Sequence, residues 1–399
     1  MRISIVVAFI LMMASTPAGA LTDEGYKSLH TFSKVLHYIE DNYATEVDEE
    51  ELIQGAIRGM LATLDPHSVY MSPEIYRELK VDTRGRFDGI GIEVTVRKGS
   101  LIVVSPIKGT PADKAGIHAG DRIMRINGKS TTGLNLSEAV SLMRGKRGSR
   151  VSLSLMREGE KGLVDVTVTR QVIKVPSVRA QLYDDKYGYV SVINFQQGTA
   201  RTLEKSIKRM NKELRFNTKS KDAEIEGLII DLRKNPGGLL DQAAAVSDVF
   251  LDKGTIVSTE TRGKEIDRRF AHEDGTQPNY PIIVLVDGGS ASASEIVAGA
   301  LQDNKRAVIM GTQSFGKGSV QTVIDLDDGS GLKLTIAKYL TPSGTIIQDR
   351  GITPDIVVPV KPPSSKKKAE DEPDASKPID YQMERALEYM RNWPGSVKK

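Results

Sequence analysis

The residue with the clearest chemical potential is a serine inside Val284-Leu285-Val286-Asp287-Gly288-Gly289-Ser290-Ala291-Ser292-Ala293-Ser294-Glu295-Ile296. An apolar run turns through two glycines into a helical pattern crowded with serines. A helix N-terminus presents free N–H groups and partial positive charge, which favour a developing oxyanion. Ser292 there is placed to attack a carbonyl. The same spacing, with Glu295 three residues on, is also that of a capping box, so the segment alone leaves both readings open.

The second element is Gly311-Thr312-Gln313-Ser314-Phe315-Gly316-Lys317-Gly318-Ser319-Val320-Gln321. A lysine acts as a base only when burial and desolvation lower its pKa, and glycines let the backbone close over the amine. If the strand that follows includes position 317, a period of two puts Lys317, Ser319 and Gln321 on one face. The segment also approaches a phosphate-binding P-loop, but Gly318 stands where Ser or Thr would hold magnesium, and a strand-like run follows where a helix is required. A third segment, Asp231-Leu232-Arg233-Lys234-Asn235-Pro236-Gly237-Gly238-Leu239-Leu240, exposes backbone N–H groups between a strand and a helix. It offers an oxyanion donor beside the N–H of Ala293, or serves as a plain turn.

The elements that must position these groups follow from periodicity. From 172 to 358, strand-like runs alternate with helical ones, at 188–193 then 200–214, 227–232 then 239–250, and 282–286 then 293–302, which predicts an α/β core. Residues 22–82 carry two amphipathic helical patterns, one through Leu29, Phe32, Val35, Leu36 and Ile39, the other through Leu52, Ile53, Ala56, Met60 and Leu64. Such helices dock or dimerise, or simply pack on the body. Residues 361–378 lack apolar periodicity and read as a disordered linker before a short final helix within 379–399.

Residues 84–170 have a different texture, short β-like runs with glycine turns and two helical pieces, a small α+β module. Within Phe87-Asp88-Gly89-Ile90-Gly91-Ile92-Glu93-Val94, the stretch Gly89, Ile90, Gly91 and Ile92 can turn successive N–H groups toward an anion such as a peptide carboxylate, and the strand beyond can pair with an extended peptide. With Gly109-Thr110-Pro111-Ala112-Asp113-Lys114-Ala115-Gly116-Ile117, Gly120-Asp121-Arg122-Ile123 and Ile126-Asn127-Gly128, the module resembles the PDZ domains of bacterial periplasmic proteases. That resemblance implies a groove for the C-terminal end of a polypeptide. Arg144 either pairs with that carboxylate or is a solvated surface arginine.

Together the three chemical segments resemble those of the C-terminal processing peptidases, the tail-specific serine proteases. The likeness runs from about Leu52 to Val358. It implies a crotonase-like α/β protease core over 171–360 with an inserted PDZ domain and an N-terminal helical region. It also implies Ser292 as nucleophile, Lys317 as base twenty-five positions on, Gln321 orienting that lysine, and the N–H groups of Gly238 and Ala293 as oxyanion donors, with Gly237 the alternative to Gly238. No position departs from that pattern. Expected partners are unfolded or C-terminally exposed polypeptides, a second copy through the N-terminal helices, and an activating adaptor.

Composition narrows the alternatives. The 399 residues hold no cysteine, so disulfides, thiolate metal sites and a lipoprotein anchor are excluded. The five histidines form no HExxH or HxH pattern, so neither metal nor any other cofactor is expected. A net charge of +3 argues for no nucleic-acid partner. Residues 1–20 read as an export signal, with Arg2 before an apolar run and Ala18-Gly19-Ala20 at a cleavage site, which implies the periplasm or cell envelope. A retained membrane anchor is the other reading of that run. The rivals from other classes are a PDZ adaptor or chaperone that binds without cleaving, and a coenzyme A enzyme of the crotonase type.

Overall fold

The computed structural model describes residues 22–97, 99–262, 264–360 and 380–393. The expected signal (1–20) and linker (361–378) lie outside them. The chain divides into two units, Met1–Tyr70 and Met71–Lys399.

The first unit is built on helices Asp23–Asn42 and Glu49–Ala62. Their N-termini are capped by Thr22, whose Oγ1 accepts from Gly25 N, and by Asp48, whose Oδ1 accepts from Glu51 N. The first helix buries none of its residues, and Leu29, Phe32 and Val35 stay exposed along it.

In the second unit, helix Pro73–Arg84 starts on a proline and stops at Gly85, whose φ of 63° ends it in the left-handed region. Strands Arg86–Gly89 and Gln171–Lys174 then pair antiparallel. This ribbon joins the two ends of an inserted module. Inside it, Ile92–Arg97, Ser100–Pro106, Arg122–Ile126, Arg150–Met156 and Leu163–Thr169 form an antiparallel sheet, with Lys129–Ser130 on its side. Helices Pro111–Lys114 and Leu136–Met143 complete the module. Arg150–Met156 alternates inward Val151, Leu153 and Leu155 with outward neighbours, the period of a half-covered strand. Those residues share their own core with Ile90, Val103, Ile123 and Val168.

The remaining core is a six-stranded sheet in the order Val178–Tyr183, Tyr187–Val192, Gly227–Asp231, Ile282–Val286, Val308–Gly311 and Ile356–Val357. Only the first pair is antiparallel. Gly227–Asp231 and Ile282–Val286 are buried at all five positions, as parallel strands covered on both faces must be. Helices Thr199–Thr218, Leu240–Asp248 and Ala293–Asp303 pack on one face through Leu203, Ile207, Val246 and Val297. The other face is covered by the last helix, Tyr381–Arg391. Its Met383, Leu387 and Met390 lie against Ile229, Ile283, Leu285 and Met310. The short final helix expected within 379–399 thus closes the sheet, and Arg233 pins its start by bonding Asp380 and Asp231 together. A second, antiparallel sheet includes Thr255–Thr261, Lys264–Phe270, Ser319–Asp325 and Gly331–Leu340.

Candidate active site

The two turns singled out in the sequence meet at the C-terminal ends of adjacent parallel strands, where such sheets place ligands. Asp287 Oδ1 accepts from Lys234 N at 2.8 Å and from Gly289 N at 2.9 Å. Ser290 Oγ donates to Leu232 O at 2.8 Å, and Asn235 O accepts from Ala291 N at 3.0 Å and from Ser294 Oγ at 2.9 Å. Asn235, fully buried, also donates to Val192 O and accepts from Gly237 N. This lacing holds one turn against the other.

Ser292 sits at the entry to helix Ala293–Asp303 with φ 55° and ψ −112°. A non-glycine residue there is strained by about 1–3 kcal/mol, which persists only where the surroundings over-determine it. Gly237 packs directly on this residue. A methyl added to it would lie 2.8 Å from Ala291 O, 2.9 Å from Ser292 Cβ and 3.0 Å from Ala293 N. Gly237 N–H is already held by Asn235 Oδ1, whereas among the described residues Gly238 N–H has no acceptor. The same is true of Ala293 N–H, in the first turn of its helix. Of the three candidate donors, Gly238 and Ala293 thus have free N–H groups and Gly237 has an occupied one.

Glu295 joins this turn to the lysine loop. Its buried carboxylate accepts from Ser292 N at 2.8 Å, Ser314 Oγ at 2.6 Å, Gly316 N at 2.6 Å and Lys317 N at 2.9 Å. The capping-box bond to Ser292 is thus one of four, the other three being long-range. Gly316 and Gly318 permit the loop's close approach to residues 347–351. A methyl on Gly318 would lie 2.2 Å from Gln348 N.

Lys317 and Ser292 line one cleft of about 820 Å³ with Gly238, Gln321 and Lys333. Helix Pro73–Arg84 forms part of its wall and is tied to the strand Ser319–Asp325. Tyr76 Oη donates to Asp325 at 2.8 Å and Lys80 Nζ at 2.6 Å. Burial, aided by the charge of Lys333, pushes the pKa of Lys317 down from the ordinary lysine range. That is the direction a base requires.

One expectation needs correction. Lys317 precedes the strand Ser319–Asp325, so the period-of-two argument for a shared face does not apply to it. Between Val320 and Gln321 the register to the partner strand shifts by one, the extra residue there being Ile336 of Gly331–Leu340. Gln321 reaches the cleft, but its Nε2 donates to Ser319 Oγ at 2.7 Å and Ser319 O at 3.1 Å.

In the inserted module, Gly91 has φ 82°, and its carbonyl accepts from Ile107 N and Thr110 Oγ1. Ile90 is buried in the module's core, between Gly89 at the end of one strand and Gly91 and Ile92 at the start of the next. Arg144 follows helix Leu136–Met143 and lies 4.9 Å over the ring of Phe87, on the strand that leads into the loop. Among the described residues no cluster of His, Asp or Glu could hold a metal ion, and no helix is long and apolar enough to cross a membrane.

Residues 186–358 match the model of peptidase family S41, residues 89–168 that of the PDZ domain, and residues 13–75 that of the activating protease CtpB N-terminal domain. The chain is 47% identical over 352 residues to a carboxy-terminal-processing protease of Bartonella bacilliformis, covering 88% of this chain and 80% of the relative. It is 38% identical to the carboxy-terminal processing protease CtpB of Bacillus subtilis, covering 86% and 71%. The solved photosystem II D1 C-terminal processing protease is 28% identical, with a TM-score of 0.48 over 85% of this chain and 94% of its own. The family models and the two curated relatives define a serine-type peptidase that carries a PDZ domain. The chain belongs to peptidase family S41. A peptide-binding adaptor without cleavage and a coenzyme A enzyme are thereby set aside.

Proposed function

We propose that this chain is an exported endopeptidase in which Ser292 attacks and Lys317 is the base, acting on polypeptides whose C-terminal end is held by the PDZ domain. Neutral Lys317 takes the proton of Ser292 Oγ as that oxygen bonds to the scissile carbonyl carbon. The N–H groups of Gly238 and Ala293 receive the oxyanion, which in a site of this kind stabilises the transition state by about 3–4 kcal/mol per donor. Lys317 then gives the proton to the leaving amine, and water releases the acyl group by the same route. Gln321 orients Lys317 once substrate displaces its bond to Ser319.

The observation that carries this reading is the carboxylate of Glu295, which binds the amides of Ser292 and Lys317 at once. It holds the backbone of two residues that line one cleft with Gly238, and the N–H of Ala293, next to Ser292, has no acceptor among the described residues. The strand-turn-helix repeats over 171–360 suit a crotonase-like description, and the exposed apolar stripe of the first helix suits a second copy or an activating adaptor. The reading is tested by trapping. With a peptide ester, mass spectrometry should find an acyl group on Ser292 in the wild type and none in Lys317→Ala. Acylation elsewhere, or equal acylation in the variant, would overturn it.

A further inference from the structure

Helix Thr199–Thr218 buries Leu203, Ile207, Met210 and Leu214 and turns its opposite side to solvent. At about 100° per residue, Arg201, Lys205, Lys208, Arg209, Lys212, Arg215, Phe216 and Lys219 fall within an arc of about 120° opposite that stripe. All eight are exposed. Glu204 and Glu213 stand only at the edges of the arc. Residues 201–221 hold eight Lys and Arg against these two acids, a net +6 in a chain whose total is +3.

At the far end of the arc, Phe216 is 84% exposed, and no large apolar side chain among the described residues is more so. It shares a shallow concavity with Arg215, Lys219 and Lys221. Arg215 is paired with Glu224 at 2.9 Å, and Asp222 is exposed nearby. Among the described residues Lys205, Lys208, Lys212, Lys219 and Lys221 enter no ion pair.

Solvation of a helix face requires neither a one-signed stripe nor an uncovered phenyl ring. The two together match the chemistry of an anionic bilayer, in which lysines meet headgroup phosphates and an aromatic ring enters the interface. A long one-signed helix face with one exposed ring at its end fits a flat surface better than the groove of an acidic protein. We infer that this face docks on a membrane rich in anionic phospholipid, with Phe216 inserted among the headgroups. The helix begins just after Gln196 and Gln197, which line the active cleft.

The test is co-sedimentation of the full chain with phosphatidylcholine vesicles made with and without phosphatidylglycerol, at low and physiological salt. Because variants are compared in the same chain, any contribution of residues 1–20 cancels. Wild type should bind the anionic vesicles selectively. Joint substitution Lys205→Gln, Lys208→Gln and Lys212→Gln should weaken that binding roughly tenfold or more, and Phe216→Ser should weaken it at either salt. Cleavage of a soluble peptide should be unchanged in both. Equal binding to the two vesicle types, no binding at low salt, or a triple variant that binds like wild type would overturn the inference. So would preferential capture by polyglutamate or duplex DNA over vesicles, which would assign the stripe to another polyanion.

Discussion

The carboxylate of Glu295 accepts the backbone N–H of Lys317 at 2.9 Å while the same oxygen accepts that of Ser292 at 2.8 Å. Two chain segments far apart in sequence are thus set by one buried group, which also holds Ser314 and Gly316. Glu295→Ala would leave four donors without their acceptor, at about 1–3 kcal/mol for each that stays buried. Stability should fall by several kcal/mol and cleavage should be lost. Glu295→Gln keeps the shape but offers one acceptor oxygen in place of two. It should fold and lose roughly 100-fold or more in kcat, with a smaller change in KM. Thermal unfolding and steady-state kinetics on the pair separate the two effects.

Strain at Ser292 gives a second expectation. Its φ of 55° suits glycine, so Ser292→Gly should be more stable than Ser292→Ala by about 1 kcal/mol, with both inactive. Denaturant unfolding checks the order. A less stable glycine variant would mean that the turn is not strained.

The pH dependence follows from the direction of the Lys317 shift. In the proposed mechanism Lys317 acts as the neutral amine, so kcat/KM should rise with pH as it loses its proton, with the limb below the ordinary lysine range. Removing the neighbouring cation with Lys333→Gln favours protonated Lys317 and should move that limb to higher pH, whereas Lys333→Arg should leave it in place. Burial remains the larger cause, so the limb of Lys333→Gln should still lie below that of an exposed lysine.

The peptide loop can be separated from the chemistry. A methyl on Gly91 would lie 2.5 Å from Thr110 Cβ, and its φ of 82° is adverse to any side chain. Gly91→Ala should abolish binding of a peptide with an apolar C-terminus, read by fluorescence anisotropy. Acylation of Ser292 by a small peptide ester should survive. Loss of both would mean that the loop also supports the catalytic fold.

The turns that line the cleft were readable as sequence because they are local. The strand-to-helix turn at Ser292 and the glycines around Lys317 announce themselves by residue type. What escaped reading depends on contacts between segments. Glu295 is three residues from Ser292 and so reads as a cap, although three of its four bonds go to another loop or side chain across the site. Asn235 and Asp287 sit in recognisable turns, yet nothing local says that they lace those turns together. The register shift between Val320 and Gln321 is something periodicity cannot foresee. A short final helix was legible, but nothing local says that it covers the open face of the central sheet.

The most direct measurement is cleavage of an unfolded substrate with an apolar C-terminus by wild type, Ser292→Ala and Lys317→Ala, with a metal chelator present. The serine-lysine account predicts cleavage by wild type alone, with both variants folded. Equal cleavage by all three would contradict it.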